Sequence, residues 1–221
     1  MKMLVDSANI SEIESLLDSL PIDGVTTNPA LIAGEKRLFK QQIKEIRRLL
    51  PDHLPLHAQI IGKDCAGMME QAKDLHDWLD GNVWIKIPVT KEGLRAIQQL
   101  SKENFRITGT AVYTAAQAVL AAKAGAGYVA PYVNRIDNEF GDGAGTVKTI
   151  VGLFSMYGFH CKVLAASFKH KGQILSVKEA GSHEATISPA LFGKLADHPA
   201  IDRDIEAFRK AWRSEYGTFS L

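Results

Sequence analysis

Apolar residues along this chain alternate between two kinds of spacing. Short runs rich in β-branched residues cover positions 3–7, 24–28, 56–61, 83–89, 106–110, 128–133, 162–167 and 184–188. Runs of this length, apolar on both faces, read as strands buried in a parallel sheet. Between them lie stretches such as 10–20, 36–50, 67–79 and 111–124, where apolar residues return every three or four positions, as on an amphipathic helix. Strict strand–helix alternation forces parallel pairing, because each crossover returns the chain to the same edge. Eight such units in 221 residues predict an α/β protein closed into a (β/α)8 TIM barrel rather than an open doubly wound sheet. No repeat, low-complexity tract or long polar linker interrupts the pattern, so one domain over 1–221 is expected.

The pattern also predicts an additional C-terminal helix at about 201–217. Ile205, Phe208, Trp212 and Tyr216 recur at intervals of three or four with charges between them. This stripe can pack on its own barrel. A barrel already has eight outer helices, however, so an extra aromatic face can instead cover a neighbouring subunit.

Composition narrows the function classes. Apolar residues make up 46% and charged residues 23%, an ordinary globular balance. The formal charge of +1 gives no global field for nucleic acid or an acidic membrane, so any anion site must be local. Cys65 and Cys161 form neither a CxxC motif nor a disulfide-dense pattern, which suggests two reduced thiols in a cytoplasmic protein. The N-terminal run meets Asp6 too early for a signal-peptide core. No apolar stretch approaches the roughly 18 residues that span a bilayer. The seven histidines form no HxH or HxxxH pair, so no metal site is expected.

Within this frame Lys86 is the most informative residue. It interrupts the apolar run Val83-Trp84-Ile85-Lys86-Ile87-Pro88-Val89. An ammonium there is costly to desolvate, and the cost falls if the lysine gives up its proton. A neutral amine is a nucleophile that can condense with a carbonyl. The alternative is a lysine that snorkels from a strand end to water. Barrel sites lie at the C-terminal ends of the strands. The polar residues expected there are Asp6, Thr26, Asn28, Gln59, Lys86, Thr110, Tyr132, Asn134, Arg135 and Ser167. Asp6, Ser7 and Asn28 could equally cap helices. Capping does not explain Gln59 and Lys86 inside apolar runs.

The blocks Val25-Thr26-Thr27-Asn28-Pro29, Val83 to Thr90, Gly109-Thr110-Ala111-Val112-Tyr113, Ala130 to Arg135 and Val163 to Lys169 resemble the signature segments of the transaldolase family. The chain is most similar to the small bacterial subgroup that includes fructose-6-phosphate aldolase. That resemblance implies a (β/α)8 barrel without cofactor, a Schiff base at Lys86 and dihydroxyacetone-type donor units. It implies a catalytic role for Asp6, which with Asn28 orients the donor hydroxyls, substrate-binding roles for Thr26 and Asn28, and a phosphate site at Arg135 and Ser167. A guanidinium fork with a hydroxyl suits a phosphate dianion. It also implies pentameric rings or decamers with exchanged C-terminal helices.

Gln59 separates the branches. The transaldolases that this chain resembles carry glutamate there, which moves protons through water. Glutamine can orient a water but cannot take its proton. The aldolase subgroup uses a tyrosine matching Tyr132, with Thr110 helping to hold the water. Packing of Tyr132 in the barrel mouth is the alternative. The expected activity is therefore cleavage of fructose 6-phosphate to dihydroxyacetone and glyceraldehyde 3-phosphate by a class I aldolase (an aldehyde-lyase). A transaldolase passing the same unit between sugar phosphates is the first rival, and a non-catalytic sugar-phosphate-binding barrel the second.

His57 and Thr108 depart from the aldolase pattern, which has an aromatic hydrocarbon and leucine at these positions. As strand neighbours of site residues they are expected to point outward, His57 as a satisfied histidine; the alternative is that they reach the pocket and bear on which donor or acceptor is preferred. The segment Gly141-Asp142-Gly143-Ala144-Gly145-Thr146 lacks a P-loop lysine and reads as a turn with a helix starting near Thr146. Glu12, Glu14, Lys44, Glu45, Arg47 and Arg48 read as solvated helix faces.

Overall fold

The computed structural model describes residues 1–220. Eight strands alternate with helices along the chain. They run β1 (Lys2–Asp6), α1 (Ile10–Ser19), β2 (Val25–Thr26), α2 (Pro29–Gly34), α3 (Phe39–Leu49), β3 (Leu56–Gln59), α4 (Cys65–Trp78), β4 (Val83–Pro88) and α5 (Lys91–Lys102). The second half follows as β5 (Ile107–Val112), α6 (Ala115–Lys123), β6 (Tyr128–Pro131), α7 (Val133–Phe140), α8 (Gly143–Met156), β7 (Lys162–Ala165), α9 (Lys171–Glu179), β8 (Glu184–Ile187), α10 (Pro189–Ala196) and α11 (Pro199–Tyr216). Each strand pairs in parallel with the next, and β8 returns to β1 through the register Lys2↔Glu184 to Val5↔Ile187. The barrel is closed, as the alternation predicts.

The main core is the ring between strands and helices. Ile13, Ile43, Ile46, Leu75, Ile97, Leu100 and Ile150 are fully buried there. Burying such side chains contributes roughly 1.5–3 kcal/mol each before entropy is counted. Inside the barrel the filling is different. Leu4, Tyr128 and Leu164 form a small apolar cluster with Trp84, while His57, Thr108, Thr26 and Thr186 bring polar atoms into the interior.

Local chemistry sets where helices begin, and it shifts several sequence expectations. The segment 111–124 does not open as helix: β5 continues to Val112, and α6 starts only at Ala115. Thr114 caps that helix in a reciprocal box with Gln117, which fixes its first turn. The segment 36–50 becomes helical only from Phe39, after Lys36 turns left-handed at φ 53° between α2 and α3. Asp64 caps α4 at Gly67 N, so that helix begins at Cys65 rather than Gly67. Asp142 caps α8 through Gly145 N, so the helix expected near Thr146 starts at Gly143. Asn9, rather than Asp6 or Ser7, caps α1.

Arg47 is also a correction. It is buried rather than solvated, and its guanidinium donates to the carbonyls of Leu50, Pro51 and Leu54. The loop before β3 leaves carbonyls without ladder partners, and the five-donor fork satisfies three of them.

The helix expected at about 201–217 is α11, and none of its residues is buried. Ile205, Phe208 and Tyr216 are 48%, 72% and 61% exposed.

Candidate active site

Period-two alternation decides which side chains enter the barrel. Register pairs Gln59 with Lys86, and Lys86 with Thr108. Residues two apart share a face, so His57 with Gln59, Trp84 with Lys86, and Thr108 with Thr110 all turn inward. Lys86 is buried, and its Nζ donates to the Thr27 carbonyl at 2.7 Å. Among the described residues no carboxylate lies within ion-pair distance of it. Burial pushes the amine below the ordinary lysine range, and Asp6 opposes that shift. Lys86 does not snorkel to water.

Asp6 accepts from Thr26 Oγ1 at 2.7 Å, and Thr26 Oγ1 also lies 2.6 Å from Thr186 Oγ1. This chain links β1, β2 and β8 on the side of the barrel next to the Thr27 carbonyl. Asn28 begins α2, and its Oδ1 accepts from the amides of Ala30 and Leu31. The capping reading of Asn28 therefore holds. Its Nδ2 stays available, so the cap also fixes an amide donor at the end of β2.

On the opposite side, Thr110 Oγ1 lies 2.9 Å from the Tyr132 hydroxyl. The register shifts between Gly109 and Val112, with Ala111 at φ 56°. Left-handed backbone in a non-glycine residue is strained, and here it occurs next to Thr110. Gln59 Oε1 is buried without a partner among the described residues. Together these place Gln59, Lys86, Thr110 and Tyr132 on three successive strands and the residue just after β6.

Arg135 and Ser167 come together through backbone. The Val133 and Asn134 amides donate to the carbonyls of Ala166 and Ser167, both at 2.8 Å. The first turn of α7, which carries Arg135, is thereby tied to the end of β7. Ser167 is left-handed at φ 64°. The exposed Arg135 guanidinium stacks over the Tyr132 ring at 4.7 Å and donates to Tyr113 Oη at 3.4 Å.

The reading of His57 and Thr108 as outward-facing is overturned. Both are fully buried, and His57 Nδ1 lies 2.9 Å from Thr108 Oγ1. The error was one of period: His57 is two residues from Gln59, so the same alternation that turns Gln59 inward turns His57 inward. Nor is His57 fully satisfied, because Nε2 has no partner among the described residues. Burial, with the Lys86 charge adding to it, pushes its pKa down to about 3. Tyr113 and Thr186 also border the site without having been singled out by their sequence context. Among the described residues no three His, Cys, Asp or Glu side chains converge as a metal site. No helix of the described chain is long and apolar enough to cross a membrane.

Comparison with known proteins bears on the family and the fold. The sequence model of the transaldolase/fructose-6-phosphate aldolase family matches residues 3–218. A protein named probable transaldolase 2 from Listeria monocytogenes is 40% identical over 214 residues, covering 97% of each chain. A probable transaldolase from Kosmotoga olearia is 43% identical over 212 residues, covering 96% of each. Two solved structures share the fold at low identity. A native KDPGal structure gives a TM-score of 0.60 at 17% identity, covering 84% of this chain and 81% of its own. A mandelate oxidase with an FMN adduct gives 0.60 at 13%, covering 85% and 64%.

Proposed function

This chain belongs to the transaldolase/fructose-6-phosphate aldolase family, and we propose that Lys86 is its Schiff-base nucleophile in a class I aldolase acting on fructose 6-phosphate. The observation that carries the reading is the buried amine at the end of β4, held by one carbonyl and without an ion-pair partner. Such an amine loses its proton more readily than a solvated one and can attack a ketone.

In this reading Lys86 Nζ adds to C2 of the ketose, and loss of water gives an iminium ion. The iminium is an electron sink. Tyr132, through a water held by Gln59 and Thr110, takes the C4 hydroxyl proton while the C3–C4 bond breaks. Glyceraldehyde 3-phosphate leaves, and the electron pair stays as an enamine on Lys86. Protonation at C3 and hydrolysis then release dihydroxyacetone and the free amine. Asp6, Thr26 and Asn28 orient the donor hydroxyls. Arg135 and Ser167 hold the phosphate.

Release to water rather than transfer rests on Gln59, which offers no ionisable group beside that water. The names of the Listeria and Kosmotoga relatives favour a second reading, a transaldolase that passes the enamine to an aldose phosphate. A substrate comparison separates them. Aldolase action predicts free dihydroxyacetone from fructose 6-phosphate alone. Turnover that requires an added aldose phosphate such as erythrose 4-phosphate would establish transfer instead.

Assembly enters the same reading. The aromatic face of α11 is solvated in the single chain, and a second copy of the barrel is the surface we propose that it covers, in a pentamer or decamer.

A further inference from the structure

Gln173 stands at the third position of α9, where a glutamine can fold back to cap its own helix. Its Oε1 does this, accepting from the Lys169 amide at 2.7 Å. Its Nε2 crosses instead to α7, donating to Asp137 Oδ2 at 2.6 Å and to Asn134 Oδ1 at 3.2 Å. Gln117 occupies the same position of α6 and supplies the comparison. Its oxygen takes the amides of Tyr113 and Thr114, and its nitrogen has no partner among the described residues. Capping therefore accounts for one end of the Gln173 carboxamide and not for the other. Gln173 is also buried, so each broken bond would leave a polar group away from water.

The two ends of this side chain meet the two arms that carry Arg135 and Ser167. Lys169 lies two residues after Ser167, and Asn134 and Asp137 stand on either side of Arg135 in α7. Ser167 is left-handed at φ 64°, a conformation that persists only where its surroundings fix it. The Asn134 amide holds the Ser167 carbonyl at 2.8 Å, and Gln173 holds the loop at the Lys169 amide. Asp137 extends the connection, because its Oδ1 accepts from the Gly143 amide at 2.7 Å at the start of α8. One carboxamide and one carboxylate thus join the loop after β7 to α7 and α8. Among the described residues neither side chain bonds the Arg135 guanidinium, so the network acts on the backbone that carries it.

We propose that Gln173, together with Asp137, is a positioning residue for the phosphate site, setting the spacing of Arg135 and Ser167 and with it the preference for phosphorylated substrates. The proposal deepens the reading of Arg135 and Ser167 as phosphate ligands and rests on it. A guanidinium on α7 and a hydroxyl after β7 grip one phosphate together only if their two backbones keep a fixed separation. The bond-breaking chemistry belongs to Lys86 on β4, outside this network. A loosened network therefore weakens the hold on phosphate and spares the chemical step.

The test is aldol addition of dihydroxyacetone to glyceraldehyde 3-phosphate and to glyceraldehyde by the full-length enzyme, with kcat and KM followed for each acceptor. Gln173→Leu, similar in size but without polar atoms, should raise KM for the phosphorylated acceptor by roughly five- to thirtyfold. Its kcat, and both constants for glyceraldehyde, should stay within about twofold of the unaltered enzyme. The inhibition constant of inorganic phosphate should rise together with that KM. Gln173→Glu sets a second carboxylate against Asp137 and should weaken the phosphorylated acceptor in the same way. Adding Asp137→Asn replaces the repulsion with a donor, keeps an acceptor for the Gly143 amide, and should restore most of the loss. This pair of variants reads the same connection should Gln173→Leu fail to fold. A purely structural role would lower the melting temperature and change both acceptors alike. Equal changes with both acceptors, an unmoved KM, or absence of rescue would overturn the positioning role alone. An Arg135→Ala enzyme that still prefers the phosphorylated acceptor would overturn the phosphate site and the positioning role with it.

Discussion

Four residues carry predictions that depend on their own surroundings. Lys86→Met should abolish turnover and raise stability, because methionine fills similar space and ends the desolvation of an amine. The sign is fixed by the lowered proton affinity of Lys86: the unfolded chain binds a proton there that the folded chain resists, so this site weakens the fold at neutral pH. A gain of about 1 kcal/mol would raise the melting temperature by roughly 2–4 °C, readable by calorimetry. Tyr132→Phe should slow cleavage by about 10²–10⁴-fold if its hydroxyl moves the proton, and near-normal kcat would return it to a packing role. Arg135→Ala should raise KM for fructose 6-phosphate by about ten- to a hundredfold. Its effect on unphosphorylated aldehydes should be small, and equal losses with both substrate classes would make Arg135 structural. His57 gives a pH prediction of its own. Its folded pKa is about 3, below the unfolded value of 6.5. The unfolded chain therefore binds the extra proton between these values, and stability falls with acid by about 1.4 kcal/mol per pH unit in that window. Denaturant titrations near pH 4 and pH 7 would show a smaller difference in His57→Phe. The unusual surroundings of Lys86 were legible in the sequence because a charge inside an apolar run stands out. Those of His57 were not, because a histidine at a strand start looks ordinary until its register to Gln59 is applied.

Elements act through the turns that join them. The site residues follow strands, and capped helices begin a few residues later: Asn28 for α2, Asp64 for α4, Thr90 for α5 and Thr114 for α6. Gly93 shows how tight this closure is. A Cβ added there would overlap the Pro88 carbonyl oxygen at the end of β4. Gly93→Ala should therefore cost about 1–3 kcal/mol, measured by denaturant unfolding, and an unchanged midpoint would mean that α5 shifts freely. Alternation made all eight strands legible to within a few residues, because a buried parallel strand is a short apolar run. Helix starts were less legible. They depend on caps and on left-handed residues such as Lys36 and Ala111, where neither side chain announces the turn. Arg47 was hidden for a related reason: its position in an amphipathic pattern says nothing of the three loop carbonyls it meets.

At the scale of the whole molecule, barrel closure is what makes a site from residues far apart in sequence. Asp6 on β1, Lys86 on β4 and Tyr132 just after β6 belong to one closed ring of strands only because β8 pairs with β1. The same closure leaves α11 outside the ring of helices, with Phe208 72% exposed. If that face covers another subunit, Phe208→Asp with Trp212→Asp should lower the mass in light scattering to a smaller assembly while the barrel stays folded by circular dichroism. An unchanged mass would assign the helix to its own chain. The central claim, that the buried amine of Lys86 forms the covalent bond to substrate, is tested most directly by reducing the enzyme with borohydride in the presence of fructose 6-phosphate and mapping the adduct by peptide mass spectrometry. One modified peptide containing Lys86, absent in Lys86→Met, is the predicted result. An adduct on another lysine, or turnover with none, would contradict it.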